Sequence, residues 1–181
     1  LMKVPPTLNE TQRLRILREY AILDTPPEKD FDDITALAAA ICETPVAVIS
    51  LIDEDRLWFK SKLGIAMEQT PREETFCAHA MAARKLLEVS DALADPSFAR
   101  HPLVTGEPHI RFYAGAPLIT ESGAVLGNLC VVDLVPRQLN ERQKSALDVL
   151  CRQVMAQMEL RKSQKAHQVL EERWQMALSG S

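Results

Sequence analysis

The sequence predicts an α+β fold with layers in the order α/β/α around a central sheet. Residues 110–120 and 124–134 are two apolar runs flanking Glu121-Ser122-Gly123, the pattern of a hairpin. The second run is apolar on both faces, with Leu126, Cys130, Val132 and Leu134 on one side and Val125, Leu129 and Val131 on the other. Such a strand belongs inside a sheet that is covered above and below. Helix-period stretches before and after the hairpin supply the covers.

The chain opens with a loose lead-in over residues 1–9. A first helix is expected over 10–21, where Leu14, Leu17 and Ala21 recur at helical spacing between charged residues. Asp24-Thr25-Pro26-Pro27-Glu28 stops it and starts a second helix, with Thr25 as N-cap and Glu28 as its capping-box partner. Phe31, Ile34, Leu37, Ala38 and Ile41 form that helix's apolar stripe, and Pro45 marks its exit. Residues 46–52 read as a strand. Residues 57–63 alternate, with Leu57, Phe59 and Leu63 opposite Trp58, Lys60 and Lys62. That pattern predicts an edge strand with its lysines in water and Trp58 half-exposed. Residues 64–75 read as loop, 76–84 as a short helix capped by Thr75, and 86–90 as a short strand. Residues 91–108 are irregular, broken by three X-Pro steps, and long enough to suggest a lid or binding role. After the hairpin, Asn140 and Gln143 form a capping box. A helical pattern then runs to about residue 178, where the first half is amphipathic, the middle (161–168) nearly all polar, and the end apolar again. No core partner is expected for 161–168, which reads as a protruding connector.

Composition excludes several classes. Hydrophobic residues make up 46% of the chain, enough for a real core. A net charge of −4 without a basic patch argues against nucleic-acid binding. No apolar run approaches the ~20 residues of a membrane helix, and the start lacks the apolar segment of a signal peptide. Cys42, Cys77, Cys130 and Cys151 are scattered without a Cys-x-x-Cys pair, which reads as reduced thiols in a cytoplasmic protein.

The local words resemble one family. Ala47-Val48-Ile49-Ser50-Leu51-Ile52-Asp53, Trp58-Phe59-Lys60-Ser61 and Thr75-Phe76-Cys77-Ala78-His79-Ala80 look like the GAF domains of bacterial histidine kinases and diguanylate cyclases. Residues 111–118 and 126–133 match as well. The resemblance covers about 10–162. It implies a central antiparallel sheet of five or six strands, with helices on one face and a small-molecule pocket on the other. It also implies homodimerisation through the terminal helices. The tail, 172–181, is similar to the entry helix of a PAS domain. Residues 163–181 then become a connector and the start of a PAS-like domain leading to an output domain.

The chemistry-bearing residues point to binding rather than turnover. Cys77 and His79 lie two apart, so on a helix they point about 200° away from each other and do not converge on one atom. Two ligands are too few for a closed zinc site. In bilin-binding GAF domains the anchor Cys is followed directly by His; here Ala78 intervenes, and no covalent pigment or other cofactor is expected. The signature of cyclic-nucleotide-binding GAF domains and a Gly-rich phosphate loop are both missing. Arg111 and Tyr113 alternate onto one face of a strand. A buried Arg111 needs an anion, either Asp91 or Glu74 within the chain or an acidic ligand. Phe76, Cys77, His79, Asp91, Arg111 and Tyr113 therefore form the candidate ligand site, between the 76–84 helix and the 91–108 loop. His101, His109 and His167 read as surface residues. The expected function is a non-enzymatic sensory domain that binds a small molecule and signals through its terminal helices. The alternatives are a dimerisation module without a ligand, or a thiol-dependent enzyme of the free methionine sulfoxide reductase type.

Overall fold

The computed structural model describes residues 9–180, apart from the Glu74 side chain. The expected lead-in lies, but for Asn9, outside the described residues. Twelve elements follow in order: α1 (Glu10–Glu19), α2 (Lys29–Cys42), β1 (Val46–Ile52), β2 (Arg56–Leu63), β3 (Gln69–Pro71), a 3₁₀ turn (Arg72–Glu74), α3 (Phe76–Ala83), β4 (Leu87–Val89), α4 (Pro102–Thr105), β5 (Phe112–Ile119), β6 (Val125–Asp133) and α5 (Glu141–Ser179). The strands form one six-stranded sheet in the order β3-β2-β1-β6-β5-β4. Every adjacent pair is antiparallel.

β6 is central, as its two apolar faces require. Leu129 and Val131 pack under α1, α2 and α5 with Ile49, Phe112, Leu17, Phe31 and Leu147. Cys130 and Val132 face the opposite layer with Val48, Tyr113, Phe76 and Val104. Each fully buried leucine or isoleucine here contributes on the order of 2 kcal/mol of transfer free energy. Leu126 departs from the expected alternation and joins the helix side. The register explains it: Leu118 pairs with Gly127 and Ile119 with Val125, leaving Leu126 as an extra residue at a bulge.

β2 is not an edge strand, because β3 pairs with its first three residues. Its outward face is covered by α2, so Trp58 (7% exposed) and Lys60 (3% exposed) are buried. Ile49 pairs with Ser61 and Ser50 with Phe59, so Lys60 is a second unpaired, bulged residue. Its ammonium reaches the Glu28 carboxylate at 2.5 Å, Pro26 O at 2.7 Å and Thr25 Oγ1 at 2.9 Å. This overturns the expected Thr25/Glu28 capping box. Thr25 hydrogen-bonds Lys60 and Ile22, Glu28 is taken by Lys60, and α2 starts at Lys29 with no side-chain cap. Thr75 likewise donates to Arg72 O rather than capping α3. The expected 64–75 loop contains β3 and the 3₁₀ turn.

The capping box at Asn140 and Gln143 is present, and α5 runs 39 residues without a break. Arg161 does not stand free, as the sequence suggested. It meets Glu28 at 2.8 Å and donates to the carbonyls of Tyr20 and Ala21. Lys162 stacks over the Tyr20 ring, and Glu159 accepts from the Tyr20 hydroxyl. These contacts fix α5 to the corner between α1 and α2. From Ser163 to Gly180 every residue is exposed.

Candidate functional site

On the sheet face away from α5, the first turn of α3 and the 103–110 segment stand over β1, β2, β5 and β6. They enclose a cavity of about 260 Å³. Its floor is Val48, Ser50, Cys130 and Tyr113, its wall Phe76, Cys77, Leu103 and Ile110, and half-exposed Met67 and Leu134 stand at the mouth. Among the described residues that line it, none is charged. The volume lies below the ~300–1,000 Å³ of sites for drug-sized ligands, so it suits a smaller molecule.

Phe76 sits at the centre of an aromatic stack. Its ring lies 4.7 Å from Phe98, nearly parallel, and 5.1 Å from Tyr113. His101 packs at 4.7 Å from the same ring, so it is half-buried rather than a surface residue. It also caps α4 by accepting from Leu103 N. His109 and His167 are exposed, as expected.

The polar floor is built from strand residues. Tyr113 Oη donates to Cys77 Sγ at 3.3 Å. Ser50 Oγ lies 3.7 Å from the same sulfur and 3.3 Å from Asn128 O, so its single proton serves one of the two. Asn128 is fully buried, and its amide donates to Cys77 O, holding α3 to β6. Two glycines make room. A Cβ on Gly127 would lie 1.9 Å from Ser50 O, and one on Gly115 would lie 2.2 Å from the Tyr113 hydroxyl. The neighbouring Cys130 thiol is the largest influence on the Cys77 thiol and lowers its pKa. Burial opposes this, and Tyr113 and Ser50 add to the lowering. Cys77 and burial push Cys130 well up. Cys42 and Cys151, outside the cavity, are raised by burial to about 11 and about 12.

Of the six expected site residues, the structure brings Phe76, Cys77 and Tyr113 together in the cavity lining. It does not bring the others there. His79 is exposed on the outer side of α3, edge-on to Phe98 at 5.0 Å. Asp91 closes a local turn by accepting from Leu93 N. Arg111 is half-buried just before β5, and its guanidinium donates to Val104 O and Ile110 O. Its Nη1 thus meets two backbone carbonyls, where the sequence suggested a carboxylate or an acidic ligand. Ser50, Asn128 and Cys130 were missed as site residues. Their signal was available: they are the polar or sulfur-bearing positions of otherwise apolar β1 and β6.

A six-stranded antiparallel sheet, three helices on one face and a cavity under a short helix on the other define the architecture. The profile of the GAF domain matches residues 26–158. The chain belongs to the GAF family. It is 42% identical over 159 residues to the cyclic di-GMP phosphodiesterase PA2567 of Pseudomonas aeruginosa; the match covers 87% of this chain but 27% of that protein. The chain therefore spans about a quarter of that relative's length. Among solved structures, it is similar to the GAF domain of an Acinetobacter phosphoenolpyruvate-protein phosphotransferase, with a TM-score of 0.61, 22% identity, and coverage of 84% of this chain and 95% of that one. It also resembles free methionine-R-sulfoxide reductase from Neisseria meningitidis, with a TM-score of 0.60, 19% identity, and coverage of 88% and 96%. At these identities the two likenesses show the fold alone. Among the described residues, no helix is long and apolar enough to cross a membrane, and no three His, Cys, Asp or Glu side chains gather as metal ligands would.

Proposed function

We propose that this GAF domain is a non-enzymatic sensory module whose cavity takes a small, uncharged, mostly apolar molecule. The carrying observation is the cavity's lining: apolar walls without a charged side chain, and a Tyr113 hydroxyl with Ser50 at the floor. An anionic ligand would enter without a counter-charge, which is costly in a low-dielectric site. Arg111 is not among the lining residues, and its Nη1 donates instead to two backbone carbonyls. The module acts by passing the bound state to a following domain through α5, whose 163–181 portion serves as connector and start of a PAS-like domain. The cytoplasm is the compartment that suits its free thiols. The test is a thermal-shift panel of small neutral compounds, such as indole and alkylphenols, on the wild-type chain and on Val132→Phe, which narrows the cavity. At least one compound should raise the melting temperature of the wild type and leave the variant unchanged. Equal shifts in both, or none in the wild type, would overturn the reading.

A second feature supports self-association. Leu160, Ser163, His167, Leu170, Trp174 and Leu178 lie along one narrow stripe of α5, and its four apolar members are about half or more exposed. The spacing suits a parallel two-helix seam with a second copy of this chain.

A further inference from the structure

Cys77 and Cys130 are a matched pair of thiols at the end of an open path. Both line the cavity, whose mouth lies at Met67 and Leu134. Cys77 occupies the second position of α3, where the helix's unpaired N–H groups favour a negative sulfur. Tyr113 Oη donates to that sulfur at 3.3 Å, and Ser50 Oγ is 3.7 Å away. Cys130 rises from β6 into the same cavity and the same buried cluster, two residues on from the Asn128 whose amide holds Cys77 O. Cys42 and Cys151 have none of this: they lie on the opposite side of the sheet, packed among the helices.

We propose that Cys77 and Cys130 form a reversible disulfide when a hydroperoxide enters the cavity, so that the cavity is also a site of thiol oxidation. Cys77 is the attacking sulfur and Cys130 the resolving one. In the first step the Cys77 sulfur attacks the terminal peroxide oxygen. The S–O bond forms, the O–O bond breaks, and the alkoxide leaves as an alcohol with the proton that Cys77 gave up. Cys77 is oxidised by two electrons to a sulfenic acid, and the hydroperoxide is reduced by two. In the second step the Cys130 sulfur attacks the Cys77 sulfur. The S–S bond forms, the S–O bond breaks, and hydroxide leaves with the Cys130 proton as water. Closure asks for the two side chains to rotate towards each other. The short α3 is held to β6 by the Asn128 amide on Cys77 O. The reaction is a single stoichiometric event, and it does not require that the cavity hold another ligand.

The test uses the full chain treated with cumene hydroperoxide and, in parallel, hydrogen peroxide. Remaining thiols are blocked with N-ethylmaleimide under denaturing conditions, and the digest is mapped without reduction. The expected result is a mass loss of about 2 Da (two hydrogens), one linkage joining Cys77 to Cys130, and full alkylation of Cys42 and Cys151. Dithiothreitol should restore four alkylatable thiols. In Cys130→Ser the linkage should vanish and a dimedone adduct appear on Cys77. Tyr113→Phe, which removes a donor to the sulfur, should slow oxidation several-fold. Four fully alkylated cysteines after wild-type oxidation would overturn the proposal. So would a linkage involving Cys42 or Cys151, or dimedone labelling spread evenly over all four. If a variant fails to fold, the wild-type linkage map decides alone.

Discussion

Lys60 is a charged side chain held inside the fold by a carboxylate that is 40% exposed. Glu28 serves two cations at once. Burial alone would raise its pKa, but Lys60 and Arg161 together hold it below the ordinary carboxylate value. The two partners should respond unequally to removal. Glu28→Ala strands the buried ammonium with only neutral oxygens, a loss on the order of 3 kcal/mol. Lys60→Met replaces the cation with apolar volume and leaves Glu28 paired with Arg161, at a cost below about 1.5 kcal/mol. Urea unfolding of both variants checks the order; equal losses would refute it. This residue also shows the limit of reading side chains from a pattern. The alternation in 57–63 placed Lys60 in water and left Trp58 half-exposed, because lysine on one face of a strand usually means solvent. Neither the bulge at Lys60 nor the three residues before α2 that receive its ammonium, Thr25, Pro26 and Glu28, leave a local trace. Arg111 failed for the same reason: its partners are carbonyls, which every residue carries and no sequence motif marks.

Among the elements, those with strong local signals were legible. The β5–β6 hairpin announces itself by its turn, and α5 by its capping box and its lack of Gly and Pro up to Gly180. β3 was not, since three residues held by pairing to β2 have no periodicity of their own. The cavity lining was half legible: Phe76 and Cys77 stood out in a short helix, while Ser50 and Cys130 differ from their apolar strands by a single hydroxyl and a single sulfur. The pairing of β1 with β6 depends on close backbone approach at Gly127. Gly127→Ala drives a Cβ into Ser50 O and should cost about 3 kcal/mol or more, read as a lower urea midpoint. The docking of α1 carries a pH dependence. Glu10 accepts from Arg13 and Arg72, and Arg13 also donates to Val125 O. The Arg13 hydrogen bond above all holds the Glu10 carboxyl at about 2, down from 4.5. Its folded pKa is the lower one, so its contribution is fully present above about 4.5 and is lost as pH falls towards 2. The carboxylate is 46% exposed and screened, so the contribution is less than about 1 kcal/mol. Glu10→Gln should lower the urea midpoint at pH 7 and flatten its decline over that acid window. An unchanged decline would show that other carboxylates govern it.

For the molecule as a whole, the decisive division is at Lys162. Up to that point α5 belongs to the domain, through its buried face and then through Arg161 and Lys162. Beyond it every described residue of the helix is exposed. A chain ending at Lys162 keeps the Arg161 and Lys162 contacts that fix α5 to the α1–α2 corner and loses most of the exposed apolar stripe. It should fold with an unchanged melting temperature and sediment as a monomer, while the full chain sediments as a dimer. Equal sedimentation of both would reduce the tail to a spacer. The tail's straightness matters in its own right. Seventeen residues from Ser163 to Ser179 rise about 25 Å at ~1.5 Å each. A rod of that length, clamped at its foot by one arginine and one lysine, converts angle into distance. A tilt of about 5° at the foot, well within what a single shifted ion pair permits, carries the tip through roughly 2 Å. Arg161 and Lys162 are thus the fulcrum, and the domain's core can stay still while the far end of the helix moves.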